Sequence, residues 1–387
     1  MQFRDLNRQY LFLKEQIDYS VNNVISSGRY INGPEVLELE QVLSDYVGTK
    51  HCITCANGTD AISIAIKALG IGKGDAVFVP DFTFFSTGES PADEGATPIF
   101  VDINPLTYNV DPNKLENAIN SVIAEKKYNI KAVIAVDLFG QPADFDKIRK
   151  ICDKYKLFLI EDAAQGFGGR INDKKACGFG DISITSFFPA KPLGCYGDGG
   201  AIFTNSDELA NMIRSICVHG KDTSNKDDAL AKYNNVRIGR NSRLDTIQAA
   251  ILLAKFKAFV QYELDDVNNV AEWYYELLKD TGLVLPKVSN NYFSSWAQYT
   301  IQIPDNVDRT VFQQKLKKVG IPTMIYYTKP MHMQKAFSGI CEIVDSCLVT
   351  KELCNKVLSL PIDPYKKRTE IEFVAKEIKN ALNRKEE

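Results

Sequence analysis

A chain of 387 residues with 45% hydrophobic content is long enough for a large buried core and for two domains. Its charged fraction of 25% and formal net charge of -3, with Lys and Arg scattered along the chain, leave no electrostatic footprint for nucleic acid. No apolar run reaches membrane-spanning length, so neither nucleic acid nor a membrane is expected as a partner.

The first residues, MQFRDLNRQYLFLKEQ, mix charges among the apolar positions and lack the uninterrupted apolar core of a signal peptide. Nine cysteines, an odd number spread along the chain, argue against a disulfide framework and for a reducing cytoplasm. Cys52 and Cys55 form a CxxC with His51 beside it. No second pair completes a tetrahedral zinc site, so these cysteines read as small buried residues ending a strand, and no metal is expected.

Through the first two-thirds, apolar β-rich runs alternate with amphipathic segments. Strands are expected at Ala76–Pro80, Pro98–Asp102, Ala132–Asp137, Leu157–Glu161, Ile182–Phe187 and Ala201–Thr204. Between them, Asp60–Leu69, Phe145–Tyr155 and Asp207–Val218 carry helical periodicity; Ala61, Ile62, Ala65, Ile66 and Leu69 share one face. Near-continuous apolar strands alternating with helices predict an α/β fold with a mostly parallel central sheet covered on both faces. The polar stretch Lys221–Lys232 reads as a mobile surface loop. After Asn241 the character changes. Thr246 to Lys279 reads as one or two long helices, followed by a strand at Gln298–Ile303 and helices at Val311–Val319 and Ile371–Leu382. The expected division is a large domain over 1–245 and a smaller C-terminal α/β domain over 246–387 that includes the connecting helix.

Three features in the large domain carry chemistry. Asp162 follows a buried strand, at the carboxyl end where open α/β sheets bind ligands. Alone it could equally be a helix cap or the partner of a nearby lysine. Lys191, in Ser186-Phe-Phe-Pro-Ala-Lys-Pro-Leu-Gly194, sits among apolar and small residues. Such a lysine loses its charge readily and suits Schiff-base formation; the plainer reading is an exposed loop lysine. Asn57-Gly-Thr-Asp60 leads into a helix, and a helix N-terminus with free N–H groups binds anions, unless Thr59 or Asp60 simply caps the helix. Ser186 could add a hydroxyl to the same anion. Glycines 166–169 and 194–200 do not fit the GxGxxG of a dinucleotide site. A phosphate cradle, a lysine nucleophile and a buried carboxylate are together what pyridoxal 5'-phosphate (PLP) requires of a protein.

These segments resemble the DegT-type sugar aminotransferases, which belong to fold type I of the PLP-dependent transferases. The resemblance runs from about Asp5 to Tyr365 and rests on Gly28-Arg-Tyr-Ile-Asn-Gly-Pro-Glu35, CANGTDAI ending at Ile62, Glu161-Asp-Ala-Ala-Gln165, SFFPAKPLGCYGDGGAIFTN ending at Asn205, and Asn241-Ser-Arg-Leu-Asp-Thr-Ile-Gln-Ala249. It implies that Lys191 carries the cofactor and acts as the catalytic base and acid. It likewise implies that Asp162 partners the pyridine nitrogen and Gln165 the ring hydroxyl, and that Gly58, Thr59 and Ser186 hold the phosphate. Phe84 matches an aromatic that stacks on the ring, the alternative being ordinary core packing. Asn241 matches a residue that reaches the phosphate of a neighbouring protomer, so a homodimer with shared sites is implied. Arg243, Tyr327 and Tyr30 match sugar-facing positions, although Arg243 could pair only with Asp245 and Tyr327 could be a buried edge aromatic. The lysine segment most resembles the branch acting on UDP-2-acetamido-2-deoxy-3-oxo-glucuronate in bacterial surface-polysaccharide synthesis; Thr328 departs from a proline frequent in the family. The implied reaction moves an amino group from L-glutamate to a nucleotide-linked keto-sugar. Other UDP- or dTDP-linked keto-sugars are alternatives, as is a non-catalytic regulatory protein of the same fold. A PLP-dependent dehydratase of this fold would have histidine where Lys191 stands.

Overall fold

The structure, a computed structural model, describes residues 1–222 and 234–383. Most of the expected loop at 221–232 therefore lies outside the described residues. The chain opens with helices α1 (Leu6–Ser27) and α2 (Pro34–Val47), which the sequence reading did not assign, and enters the sheet at β1 (His51–Cys55). There follow α3 (Gly58–Ala68), β2 (Asp75–Pro80), α4 (Ser86–Asp93), β3 (Thr97–Val101), α5 (Pro112–Glu125), β4 (Asn129–Val136), α6 (Phe145–Tyr155) and β5 (Phe158–Asp162). Two short strands, β6 (Arg170–Ile171) and β7 (Lys174–Lys175), precede β8 (Ile182–Ser186), β9 (Gly200–Thr204) and α7 (Asp207–Cys217). Expected and observed bounds of the large-domain strands agree within a few residues.

Eight strands form the main sheet in the order β1-β9-β8-β5-β4-β2-β3-β12, the last being Glu342–Ile343 from the C-terminal part of the chain. All run in one direction except β9, which is antiparallel to both neighbours. The sequence dictates this burial directly. Successive residues of a strand point to opposite faces, so a strand covered on both sides must be apolar at every position. Val77, Ile134 and Ile160 enter one core with Ile64 of α3 and Ile213 of α7. Their neighbours Phe78, Val133 and Leu159 enter another with Leu115 of α5 and Ile148 of α6.

The long helical segment is α8 (Thr246–Ala258), one π-helical turn at Phe259–Glu263, and α9 (Leu264–Leu278). Beyond it come β10 (Tyr292–Phe293), β11 (Tyr299–Gln302), α10 (Arg309–Lys318), β12 (Glu342–Ile343), α11 (Leu348–Lys356), β13 (Val357–Leu360) and α12 (Arg368–Asn383). β11 pairs antiparallel with β13. A separate core joins Val270 and Tyr274 of α9, Tyr299, Phe312, Leu358 and Val374. The chain after residue 245 is nonetheless shared between cores. Ala249 and Leu252 of α8 pack with α2 and β9, and β12 adds a parallel edge strand to β3 of the main sheet. That excursion is pinned by His332, whose Nδ1 lies 2.7 Å from Oδ2 of the buried Asp81 just after β2. Two residues of strand are too short to leave a periodic signal, which is why the sequence did not reveal it.

All nine cysteines are free, and Cys52 and Cys55 are buried within β1. Among the described residues no helix is long and apolar enough to cross a membrane.

Candidate active site

The carboxyl ends of β5 and β8 and the turn after β1 meet above the sheet. Asp162 is the last residue of β5, one position further into the strand than the sequence indicated, and is 4% exposed. Its Oδ1 accepts the Ala164 N–H at 3.1 Å and its Oδ2 accepts the Thr87 hydroxyl at 2.9 Å. Thr87 in turn lies 3.0 Å from the Thr83 hydroxyl. Neither of the plainer readings of Asp162 holds: it caps no helix, and no lysine or arginine forms an ion pair with it among the described residues. Burial pushes its carboxyl above the usual range, while the two hydrogen bonds and the more distant charge of Lys191 pull it back down.

Lys191 stands on the loop between β8 and β9. The loop is folded back on itself. The Lys191 N–H donates to the Phe188 carbonyl at 2.8 Å, Cys195 N–H to Phe187 at 2.8 Å, and Phe187 N–H to Gly199 at 2.7 Å. The buried Lys255 ammonium donates to the Gly194 carbonyl from below. Lys191 is only partly exposed, so it is no ordinary surface lysine. Burial lowers its pKa, Asp162 works against that, and the charge of Arg4 reinforces it.

The anion site is built by close approach. Asn57, not Thr59 or Asp60, caps α3: its Oδ1 accepts the Asp60 N–H at 2.7 Å. The N–H groups of Gly58 and Thr59 have no protein acceptor among the described residues, and both lie at the positive end of the helix. A Cβ on Gly58 would stand 2.8 Å from Cβ of Ser186, and one on Gly200 would stand 2.7 Å from the Asn57 carbonyl. The turn thus rests directly on the ends of β8 and β9, with the Ser186 hydroxyl alongside two free amides. Only glycine permits that contact.

Gln165 is buried and held at both ends. Its Oε1 accepts the Phe139 N–H at 3.0 Å, and its Nε2 donates to the Tyr327 hydroxyl at 3.2 Å. One N–H of the amide remains free. Tyr327 packs edge-on against Phe82 at 5.7 Å between ring centroids, and burial raises its pKa. Phe84 is 54% exposed, whereas Phe82 is buried. The core-packing reading therefore belongs to Phe82, and Phe84 presents a free ring.

Asn241 and Arg243 flank Ser242, which is fully buried. The Ser242 hydroxyl accepts the Ala56 N–H at 3.1 Å, so the segment runs beside the α3 turn. Asn241 is exposed and Arg243 partly so. Arg243 forms no ion pair with Asp245 or any other acid among the described residues. Tyr30, 46% exposed, lies against the same segment: its carbonyl accepts the Thr246 N–H at 2.9 Å, and Ile31 bridges Asp245. Within one chain none of Tyr30, Asn241 and Arg243 hydrogen-bonds to Asp162, Gln165 or Lys191.

Two free amides and a hydroxyl fit a phosphate, and a buried carboxylate without a cation fits a protonated ring nitrogen. The residues therefore suit PLP. The sequence profile of the DegT/DnrJ/EryC1/StrS aminotransferase family matches residues 12–379. The chain belongs to this family. A UDP-2-acetamido-2-deoxy-3-oxo-D-glucuronate aminotransferase of Pseudomonas aeruginosa is 45% identical over 380 residues, spanning 98% of this chain and 100% of the relative. A protein of Geobacillus stearothermophilus named a pleiotropic regulatory protein is 40% identical over 376 residues, spanning 97% of this chain and 96% of the relative. The crystal structure of S. venezuelae DesV in complex with a ketimine intermediate superimposes with a TM-score of 0.90 at 31% identity, covering 100% of this chain and 99% of that one. Family membership makes this chain a PLP-dependent aminotransferase of fold type I.

Sequence reading missed Thr87, although the spacing of Thr83 and Thr87 puts both hydroxyls on one side of the turn that starts α4. It also missed Asn57, whose position directly before the helix is the cap signature. The cradle makes a direct prediction. Gly58→Ala drives a methyl into Ser186 and should weaken PLP binding by roughly 10- to 100-fold, read by equilibrium dialysis. Unchanged affinity would mean that this turn does not hold the phosphate.

Proposed function

We propose that this aminotransferase moves an amino group from L-glutamate to a nucleotide-linked keto-sugar, with UDP-2-acetamido-2-deoxy-3-oxo-glucuronate as the acceptor. The observation that carries the catalytic reading is a buried Asp162 without a cation of its own, within electrostatic reach of a lysine whose charge is destabilised by burial. The choice of acceptor is supported by the 45% identity to the Pseudomonas enzyme over nearly the whole chain.

The bound cofactor supplies an electron-accepting ring that carries the amino group between the two substrates. The chain's residues do the rest. The Gly58 and Thr59 amides and the Ser186 hydroxyl anchor the phosphate. Asp162 holds a proton at the ring nitrogen, and Thr87 fixes the carboxylate that does so. Phe84 would offer its ring for stacking on the bound cofactor, and the free N–H of Gln165 would be available to its ring oxygen. Lys191, once its amine is free, takes the proton from the α-carbon of the donor and later returns one to the sugar carbon that receives nitrogen. A pKa lowered by burial keeps that amine available as a base near neutral pH. Asn241 and Arg243 serve the site of a second protomer, Asn241 at the phosphate and Arg243 at the sugar carboxylate, where a planar guanidinium pairs in two-pronged fashion. Tyr30 and Tyr327 face the sugar.

A regulatory protein of the same fold is the second reading, favoured by the name of the Geobacillus relative. Colour separates the two. The yellow holoprotein is expected to bleach with glutamate and to regain colour with a keto-sugar, fastest with the UDP-linked 3-oxo-uronate. Lys191→Ala should bind PLP and turn over nothing. A holoprotein inert to glutamate and to other amino acids would support the regulator, and recovery with neutral 4-keto sugars alone would replace the proposed acceptor.

The shared site is tested by subunit exchange between Lys191→Ala and Arg243→Ala, each inactive alone. A mixed dimer holds one site with both native residues and one with both lesions. Random exchange makes about half the dimers mixed, so about a quarter of wild-type activity should return under two-fold symmetry. No recovery after verified exchange would mean that Arg243 serves its own chain.

A further inference from the structure

The N-terminal strap of the chain brings a cation to the lysine loop. Residues 2–5 are stitched to the 362–366 segment at three points. Ile362 N–H donates to the Phe3 carbonyl at 3.2 Å, Asp5 N–H to Asp363 Oδ2 at 3.0 Å, and Lys366 Nζ to the Gln2 carbonyl at 3.0 Å. The Phe3 ring meets Tyr326 edge-on at 6.5 Å, one residue from the tyrosine that binds Gln165. Arg4 is thereby held in a crevice with Pro192, the residue after Lys191, and with Glu263, Ser295 and Pro364. Ser295 in turn donates to the Gln165 carbonyl at 3.1 Å. The crevice thus lies one residue along the chain from Lys191 and one hydrogen bond from the Gln165 backbone.

The Arg4 guanidinium has no partner. It makes no hydrogen bond or ion pair among the described residues, and its Nη1 is the single buried side-chain nitrogen there without an acceptor. The acids nearby already accept from other donors, Glu263 through Oε1 alone. Asp363 accepts from Lys366 at 2.8 Å, from Asp5 and from Tyr365 N–H at 2.9 Å. Glu263 accepts from Gln9 at 2.8 Å and from the Tyr365 hydroxyl at 2.6 Å. Arg4 as a whole is half-buried, and a guanidinium nitrogen buried without an acceptor is unfavourable unless an oxyanion meets it during function. Two N–H groups in one plane match a carboxylate.

We propose that Arg4 receives a carboxylate of the amino donor while the donor's nitrogen is at Lys191. The inference rests on the reading of an amino acid as donor. Every such donor carries a carboxylate on the carbon next to its nitrogen, and the dicarboxylic donors carry a second one. Each must leave water for the depth at which Lys191 sits, and a cation already stripped of partners there offsets that loss. Burial lowers the Arg4 pKa, and Asp363 and Glu263 raise it; the guanidinium stays charged regardless.

The test uses holoenzyme and separates the half-reactions. Arg4→Gln should raise the half-saturating glutamate concentration for bleaching by roughly 10- to 100-fold, and Arg4→Lys by less. Calorimetric binding of 2-oxoglutarate to the pyridoxamine form should weaken in parallel. Recovery of colour with the keto-sugar should be unchanged in either variant. L-Alanine as donor locates the contact: a loss with both amino acids means the carboxylate next to nitrogen, and a loss with glutamate alone means the distal one. A wild-type protein inert to every amino acid would defeat the donor reading itself. A wild-type protein that reacts, alongside an Arg4→Gln variant of native melting temperature and unchanged 2-oxoglutarate affinity, would overturn the role of Arg4. So would a variant impaired only with the keto-sugar.

Discussion

A carboxylate buried at the end of a parallel strand, with no cation of its own, is an unfavourable arrangement unless a positive group arrives to meet it. Asp162 is in that position. Its two partners, the Ala164 N–H and the Thr87 hydroxyl, satisfy individual lone pairs but do not neutralise the charge. On the proposed reading, that instability is offset when a protonated ring nitrogen comes within reach, with the lysine, the Asn57-Gly58 turn and the Phe84 ring grouped around it. The same burial that raises the pKa of Asp162 lowers that of Lys191. In the proposed mechanism, one low-dielectric pocket thus prepares an acid to hold a proton at the ring and an amine to move one.

The fold supplies this geometry through a few close contacts. Parallel strands deliver Asp162 and Ser186 to the same edge of the sheet, while the reversed strand β9 turns the chain back so that Gly200 lies under the Asn57-Gly58 turn. The Lys191 loop connecting β8 to β9 is fixed by its own backbone bonds and by Lys255 beneath it. Burial brings the Lys255 pKa down to about 8, so this support keeps its charge at neutral pH. Around the rim, residues far apart in sequence, Phe3 with Tyr326 and Ser295 with Gln165, join the second core to the site.

Much of this could be read from the sequence because it depends on local patterns. The apolar strands with helices between them are visible wherever both faces of a strand are buried, and Val77 and Phe78 entering different cores is the structural form of that pattern. Asp162 and Lys191 were legible because polar residues at the ends of apolar runs stand out. What stayed hidden depends on contacts between distant segments. Arg4 looks like one charge in an amphipathic segment until residues 362–366 fold over it. β12 is two residues long and leaves no period. Thr87 is an unremarkable hydroxyl until Asp162 is brought to it, and the exposure of Phe84 beside the buried Phe82 cannot be told from a run of aromatics.

The central claim, that Asp162 keeps a proton on the cofactor's ring nitrogen, can be measured directly. Holoenzyme reconstituted with PLP carrying 15N in the ring should give the chemical shift of a protonated pyridine nitrogen at pH 8, and Asp162→Ala should give that of a neutral one with the cofactor still bound. A shift for the protonated nitrogen in both proteins, or for the neutral nitrogen in both, would contradict the account.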